Sequence, residues 1–380
     1  MDGKIASFRR GQWLMFGLVA IWTGLALAMD RPYPALRLLS SQQQDWGPLD
    51  ARSLAVVINN EDPLSEAIGT YYQRSRQIPP SQVLRVRFSP GRTNLDPARF
   101  VAIRRQLLRQ TPAHVQVYAL AWAQPYRVGC QSITSAFTFG LHSRWCAVGC
   151  RVTQVSPYYA RGDVDRPWDV LRIRPSMLLA ASSEAKARSL IDRGLAADGT
   201  APPGTVYLLN TSDYKRSSRH QEFLRASQMS IPDLRIKLLD QDFLSSAPDV
   251  MGYFTGLASV PAIATNHYRP GAIADHLTSL GGQLTDSPQM SALRWLEAGA
   301  TASYGAVVEP CNFPAKFPDP GLLLSYYRRG DTLIEAYWRS VAMPGQGVFI
   351  GEPLARPWSR PKPEILNLSG VAGATSRHDQ

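Results

Sequence analysis

The sequence predicts an α/β fold, a mostly parallel sheet flanked by helices. Short, wholly apolar runs of strand length alternate with segments whose apolar residues recur at helical spacing. Strand–helix–strand order repeats, which is the pattern of a parallel sheet with helices on its faces. The chain has 380 residues, 44% of them hydrophobic and 19% charged. That is enough to bury a large core without crosslinks and too apolar for wholesale disorder.

Ser53–Asn59, reading SLAVVIN, is the first strand. Asp62 then offers a cap and Pro63 a first helical position. Leu64, Ala67, Ile68, Tyr71 and Tyr72 follow at helical spacing until Pro79-Pro80 stops the helix. Gln82–Phe88 alternates like a strand. The spacing of Phe100, Ile103, Leu107 and Leu108 predicts a helix over 97–110, and Val115–Trp122 reads as a buried strand. Residues 127–180 break the rhythm. They hold three of the four cysteines and read as an irregular insertion with two short hairpins. The alternation then resumes with a helix over 182–195, a strand over 205–210, a helix over 219–228 and strands over 236–240 and 249–255. A helix over 291–298, a strand over 301–308 and helices over 322–327 and 333–341 complete it.

The chain therefore divides into a signal segment (1–28), a lead-in (29–50), a first α/β unit (51–126), the cysteine-containing insertion (127–180), a second α/β unit (181–358) and a flexible tail (359–380). Lys4, Arg9 and Arg10 precede an apolar run from Trp13 to Ala28 that ends in Ala26-Leu27-Ala28. A basic region, a short apolar core and an A-x-A site mark a secretion signal, so the protein is expected to be exported, periplasmic or secreted. An uncleaved anchor is the alternative. No other stretch is apolar and long enough to span a bilayer, so no further membrane association is expected.

The formal charge is +11. Removing Asp2, Lys4, Arg9 and Arg10 with the signal lowers it by two. The basic residues are scattered and read first as a solvated surface, and an anionic cell-surface ligand is the partner they would suit. Nothing resembles a zinc finger or an RNA-binding aromatic pattern, so no nucleic acid is expected.

Cys130, Cys146, Cys150 and Cys311 suit two disulfides in an exported chain, with three possible pairings. The local pair Cys146–Cys150 and, by remainder, Cys130–Cys311 are expected. Cys146 and Cys150 also have helical metal spacing, but no His or acid beside them completes a site, so no metal is expected. No dinucleotide or phosphate-loop fingerprint occurs, so no cofactor is expected, and there is no G-x-S-x-G elbow.

Ligands on such sheets bind where strands end at their carboxyl termini. Asn59–Pro63 and Gln124–Arg127 are candidate walls on that ground. The densest reactive cluster is Glu309-Pro310-Cys311-Asn312, directly after a strand. Cys311 would be a nucleophile if a histidine lowered its pKa, and a half-cystine otherwise. His220, opening a helix after Asp213, is the histidine best placed to serve it. Gly281-Gly282 reads as a turn.

The segments VVINNEDPLSEAIGTYYQRSRQIPPSQVL, CQSITSAFTFG, RPSMLLAA, GATASYGAVVEPCNFPAKFPDP and LIEAYWRSVAMPGQGVFIGEPLARPW together resemble a family of exported bacterial proteins to which no activity is assigned. The second half also resembles gingipain-type cysteine peptidases of caspase-like fold. In those, one strand ends in Gly-His-Gly and the next in the nucleophilic Cys. Here MGYFTGLAS places Leu257-Ala258 at the His-Gly position, and IADHLTSLGG places Thr278-Ser279 at the Cys position. GATASYGAV and Gly351-Glu352-Pro353 match later features. The resemblance implies a caspase-like second half whose dyad positions, Leu257 and Ser279, lie on adjacent strand ends with no His or Cys beside them. Leucine cannot take a proton, and serine without a base is a weak nucleophile. The expected function is that of an exported binding or scaffold protein without peptidase activity. The alternative is a hydrolase with a relocated site around Glu309 and Cys311.

Overall fold

The computed structural model describes residues 49–147 and 149–358. The signal segment, most of the lead-in and the tail lie outside the described residues. The chain is an α/β protein. In order it forms β1 (Leu54–Asn59), α1 (Pro63–Ser75), β2 (Val83–Val86), α2 (Pro97–Gln110) and β3 (Val117–Leu120). A small hairpin of β4 (Arg127–Val128) and β5 (Gln131–Ser132) follows, then α3 (Ile133–Phe139), α4 (Pro167–Leu171) and β6 (Ser176–Leu178). Next come α5 (Glu184–Ala197), β7 (Gly204–Asn210), α6 (His220–Ser227), β8 (Leu234–Asp240), β9 (Val250–Thr255) and β10 (Tyr268–His276). The last elements are α7 (Leu293–Ala298), β11 (Ala302–Ala306), α8 (Pro320–Arg328), α9 (Leu333–Ser340) and β12 (Gly347–Gly351).

Ten strands build one sheet in the order β2-β1-β3-β6-β12-β11-β10-β9-β7-β8. Every pairing is parallel except β11 with β12, where Tyr304 stands opposite Phe349. Two five-stranded parallel halves thus run in opposite directions and meet at β11–β12. Strand carboxyl ends of the first half therefore lie at the opposite side of the sheet, along the strand axis, from those of the second.

Local chemistry explains most boundaries. All six residues of β1 are buried, as a strand covered on both faces requires. Asp62 accepts from Leu64 N at the start of α1, and Asp96 accepts from Arg99 N at the start of α2, each followed by proline. Thr332 and Glu335 close a capping box on α9. The interval 127–180 departs from the expected irregular insertion. It contributes β6 to the middle of the sheet, and its SITSAFTFG segment forms a helix. Ser132 caps α3 by accepting from Ser135 N, Gly140 ends it at φ +84°, and six of its seven residues are buried. A helix buried all round has no polar face to reveal its period.

The core fills both faces of the sheet. One face packs Val56, Met177, Leu208, Phe254, Ile273 and Tyr304 under α1, α5, α6, α8 and α9. On the other, Val57, Tyr118 and Leu120 meet Phe100, Ile103 and Leu107 of α2 with Phe137 of α3, while Tyr253 and Ala274 meet Trp295 of α7. Glu352 ties the end of β12 to α1. Fully buried at the end of β12, it accepts from Tyr72 Oη at 2.6 Å and from Arg76 Nε at 3.1 Å, both on or beside α1.

Candidate functional site

A pocket of about 280 Å³ opens at the carboxyl ends of the second-half strands. Four connections build it. The loop after β7 brings Lys215 and Arg216, the segment after β10 brings Thr278 and Ser279, the loop after β11 brings Glu309, Cys311 and Asn312, and Cys150 reaches it from the interval before β6.

Glycines allow the close packing behind it. A Cβ on Gly256, at the end of β9, would stand 2.0 Å from the Arg216 carbonyl oxygen, so only glycine lets the Lys215-Arg216 loop rest on that strand. Thr211 Oγ1 fixes the same loop by donating to the Gly256 carbonyl at 2.7 Å. Gly281-Gly282 is more than a turn. A Cβ on Gly282 would lie 2.4 Å from the Gly305 carbonyl oxygen, because this backbone lies directly on β11.

Polar contacts preset the lining. Arg216 donates Nη1 to Asp213 at 2.5 Å and Nε to Thr278 Oγ1 at 3.2 Å, while Thr278 Oγ1 donates to Gln289 Oε1 at 2.8 Å. Among the described residues, Arg216 Nη2 and the Ser279 hydroxyl make no hydrogen bond, so both remain available to a ligand. Glu309 Oε1 accepts from Cys311 N at 2.7 Å, and its carbonyl accepts from Gln346 Nε2. Cys311 sits at φ +54°, a left-handed conformation uncommon outside glycine. Beside this wall Lys316 donates to the Arg151 carbonyl, and burial pushes its ammonium down to about 8.

The disulfides are Cys130–Cys146 and Cys150–Cys311, with Cα separations of 5.3 and 5.1 Å. This corrects the expected Cys146–Cys150 and Cys130–Cys311 pairing. Trp145 stacks on Phe139 with ring centroids 3.8 Å apart, which seats Cys146 against the β4–β5 turn that carries Cys130. Gly149, at φ +67°, then turns the chain so that Cys150 leaves toward the pocket. Proximity in sequence is overruled by what Trp145 packs against.

The register pairs His276 with Thr255, so Leu257 and Thr278-Ser279 do extend from neighbouring strand ends. The expectation that no Cys or His stands beside them is corrected, since Cys150 and Cys311 share the pocket with Ser279 and His276 lies two residues before Thr278. Neither supplies a nucleophile–base pair. Both cysteines are half-cystines. His276 is fully buried, accepts at Nδ1 from Trp295 Nε1 at 2.9 Å and donates from Nε2 to the Met290 carbonyl at 3.0 Å. Burial pushes it down to about 4, so it is neutral at physiological pH. Leu257 packs partly buried against the Tyr253–Trp295 cluster and does not line the pocket. His220 opens α6, with its N–H bonded to Ser217 O, and does not line it either.

The other predicted walls lie elsewhere. Asn59 is buried at the end of β1, donating to the Phe88 carbonyl and accepting from Phe88 N, at the far side of the sheet. Gln124 and Tyr126 bond Thr285 and Asp286. Sequence reading missed Arg216, Asp213 and Gln289 as pocket groups, and Gly256 was the one available signal that a loop crosses there. Asp275, at the end of β10, is also spoken for. Its carboxylate pairs with Arg219 at 2.6 Å in the interior, and burial raises its pKa against that pairing. Among the described residues no group of three or more His, Cys, Asp or Glu could hold a metal ion. No helix among them is long and apolar enough to cross a membrane.

No protein-family model matches the chain, and no curated protein matches its sequence. Two solved structures match parts of this chain. One, described as the structure of a protease, matches at 13% identity and a TM-score of 0.36, over 69% of this chain and 60% of its own. The other is a complex of Porphyromonas gingivalis RgpB pro- and mature domains, at 8% identity and a TM-score of 0.41, over 80% of this chain and 79% of its own.

Proposed function

We propose that the protein is an exported binding protein without peptidase activity, and that the pocket at the ends of β7, β10 and β11 is its ligand site. One observation carries the reading. The thiol nearest the pocket's reactive groups, Cys311, is held in a disulfide with Cys150, while the neighbouring imidazole, His276, has both nitrogens engaged behind the strand ends. Nucleophilic catalysis needs a free thiolate or an activated hydroxyl within reach of a base. Two disulfides also suit an oxidising compartment, periplasmic or extracellular, as the signal segment implies.

The lining favours a small polar ligand with an anionic group. Arg216 Nη2 and Lys215 supply positive charge, Thr278, Ser279 and Asn312 supply neutral polar groups, and Glu309 adds a carboxylate to the lining. The shared position of Glu309, Cys311 and Ser279 keeps one competitor, a hydrolase that acts once the disulfide is reduced. The deciding experiment incubates the purified mature protein, oxidised and after dithiothreitol, with peptides carrying Arg or Lys before the scissile bond and with a thiol-directed peptidase probe. No cleavage and no labelling are expected in the oxidised state. Cleavage that Cys311→Ala abolishes would replace the binding reading with the hydrolase.

A further inference from the structure

Charge is distributed unevenly along this chain. Between Arg87 and Ala160 the sequence has nine arginines, no lysine and a single acid, Asp96. That stretch holds eight of the eleven excess positive charges. Elsewhere arginines are commonly paired, as in Arg85–Glu66, Arg161–Asp163, Arg188–Glu184 and Arg225–Glu222. Among the described residues, no ion pair involves any of these nine. Asp96 spends a carboxylate oxygen on capping α2.

Six of these nine, Arg87, Arg99, Arg104, Arg105, Arg109 and Arg127, lie on or beside α2. Arg99, Arg105 and Arg109 are exposed along α2. At 1.5 Å per residue they cover about 15 Å of helix. Arg99 donates to the Arg87 carbonyl at 2.9 Å, and the Leu95 N–H donates to the Arg127 carbonyl, so Arg87 and Arg127 adjoin the same helix start. A groove of about 360 Å³ runs beside the row, with Arg104 and Arg105 over an apolar floor of Leu108 and Leu141. Burial lowers the Arg104 guanidinium, which among the described residues bonds only the Phe137 carbonyl, at 3.2 Å.

We infer that this α2 surface binds an acidic polysaccharide. Cations spaced over about 15 Å match a repeating anion better than a lone phosphate. The apolar floor suits the C–H face of a sugar ring whose acidic group meets Arg104 and Arg105. A single-stranded nucleic acid would call for exposed aromatic rings on which bases stack, and Phe88, Phe100 and Tyr126 beside α2 are all buried. A lipid surface would call for an apolar face to insert, and along α2 Val101 is the single exposed large hydrophobic residue.

The test titrates fluorescently labelled polygalacturonate, neutral dextran and an oligothymidylate against the disulfide-intact protein at 50 and 200 mM NaCl. The variants are Arg99→Ser/Arg105→Ser/Arg109→Ser, a control triple from the paired arginines, Arg161→Ser/Arg188→Ser/Arg225→Ser, and Arg104→Ala. At about fivefold per guanidinium, the α2 triple is expected to weaken polygalacturonate binding about a hundredfold at 50 mM salt, with an unchanged melting temperature. The control triple should stay within about threefold, and Arg104→Ala should reduce the preference for sugar polymer over oligothymidylate. Equal losses in the two triples, no polygalacturonate binding, or tighter binding of oligothymidylate would each overturn the inference. Activity at the strand-end pocket does not enter the readout, so this test fails or succeeds independently of the pocket's function.

Discussion

Taking the protein from pH 7.5 to pH 5 sets His276 against its own hydrogen bonds. Its Nδ1 accepts from Trp295 and its Nε2 donates to Met290, so an added proton at Nδ1 would face the indole N–H. Burial pushes the folded-state value down to about 4, against about 6.5 for an ordinary histidine. The sign follows from linkage. Above pH 6.5 neither state binds the proton and the stability is complete. As pH falls, the unfolded chain takes the proton first and stability is lost. By pH 5 the loss is roughly 2 kcal/mol, and by pH 4 roughly 3 kcal/mol. Urea unfolding followed by tryptophan fluorescence at both pH values measures it. His276→Gln keeps an acceptor for Trp295 and a donor for Met290 but carries no proton. Wild type minus variant isolates this residue from every other titrating group. The variant should lose about 2 kcal/mol less than wild type on going to pH 5. Equal losses in the two proteins would refute the assignment of a neutral, doubly bonded imidazole.

Glu335 should behave with the opposite sign. Burial raises it to about 7, so its stabilising proton is held at low pH and lost as pH rises from about 4.5 through 7. Glu335→Gln should therefore be less stabilised by acidification than wild type, by roughly 2 kcal/mol between pH 7.5 and 5, and an unchanged pH profile would contradict the buried neutral acid. The two disulfides should differ in worth, since they close spans of 161 and 16 residues. Chain entropy gives about 5 kcal/mol for the long loop and about 3 for the short one. Cys150→Ser/Cys311→Ser should accordingly unfold at lower urea than Cys130→Ser/Cys146→Ser, and the reverse order would show that native packing around Trp145 outweighs loop closure.

How much of this was legible depended on where the signals were local. Asp96-Pro97 and the spacing of Phe100, Ile103 and Leu107 marked α2 over its observed length, because a cap and one apolar face suffice. The apolar strands β1, β7 and β9 announced themselves similarly. β10 did not emerge as a nine-residue strand because Pro270, Gly271, Asp275 and His276 break its composition. The last two are tolerated inside because Arg219 and Trp295 bond them, and both partners come from distant segments. Glu309 and Cys311 were found as a cluster from sequence, and they do line a pocket. Arg216 and the true partner of Cys311 were not found there, because strand direction and the fold of residues 127–180 decide which loops meet.

The antiparallel pair β11–β12 makes the order of assembly matter. β12 is the last strand of the sheet in the chain, yet it lies between β6 and β11, and it alone links the two parallel halves by hydrogen bonds among the described strands. Until residues 347–351 arrive, β6 and β11 are unpaired edges, the kind of surface that recruits strands from other molecules. Its pairing of Ile350 with Leu178 spans more than 170 residues, a long-range closure that slows folding. A chain cut just before Gly347 would thus be two half-sheets with sticky inner rims. A short peptide covering 347–351 would meet those rims as a missing keystone, and its effect on the aggregation of the cut chain would report whether the halves form before they are joined.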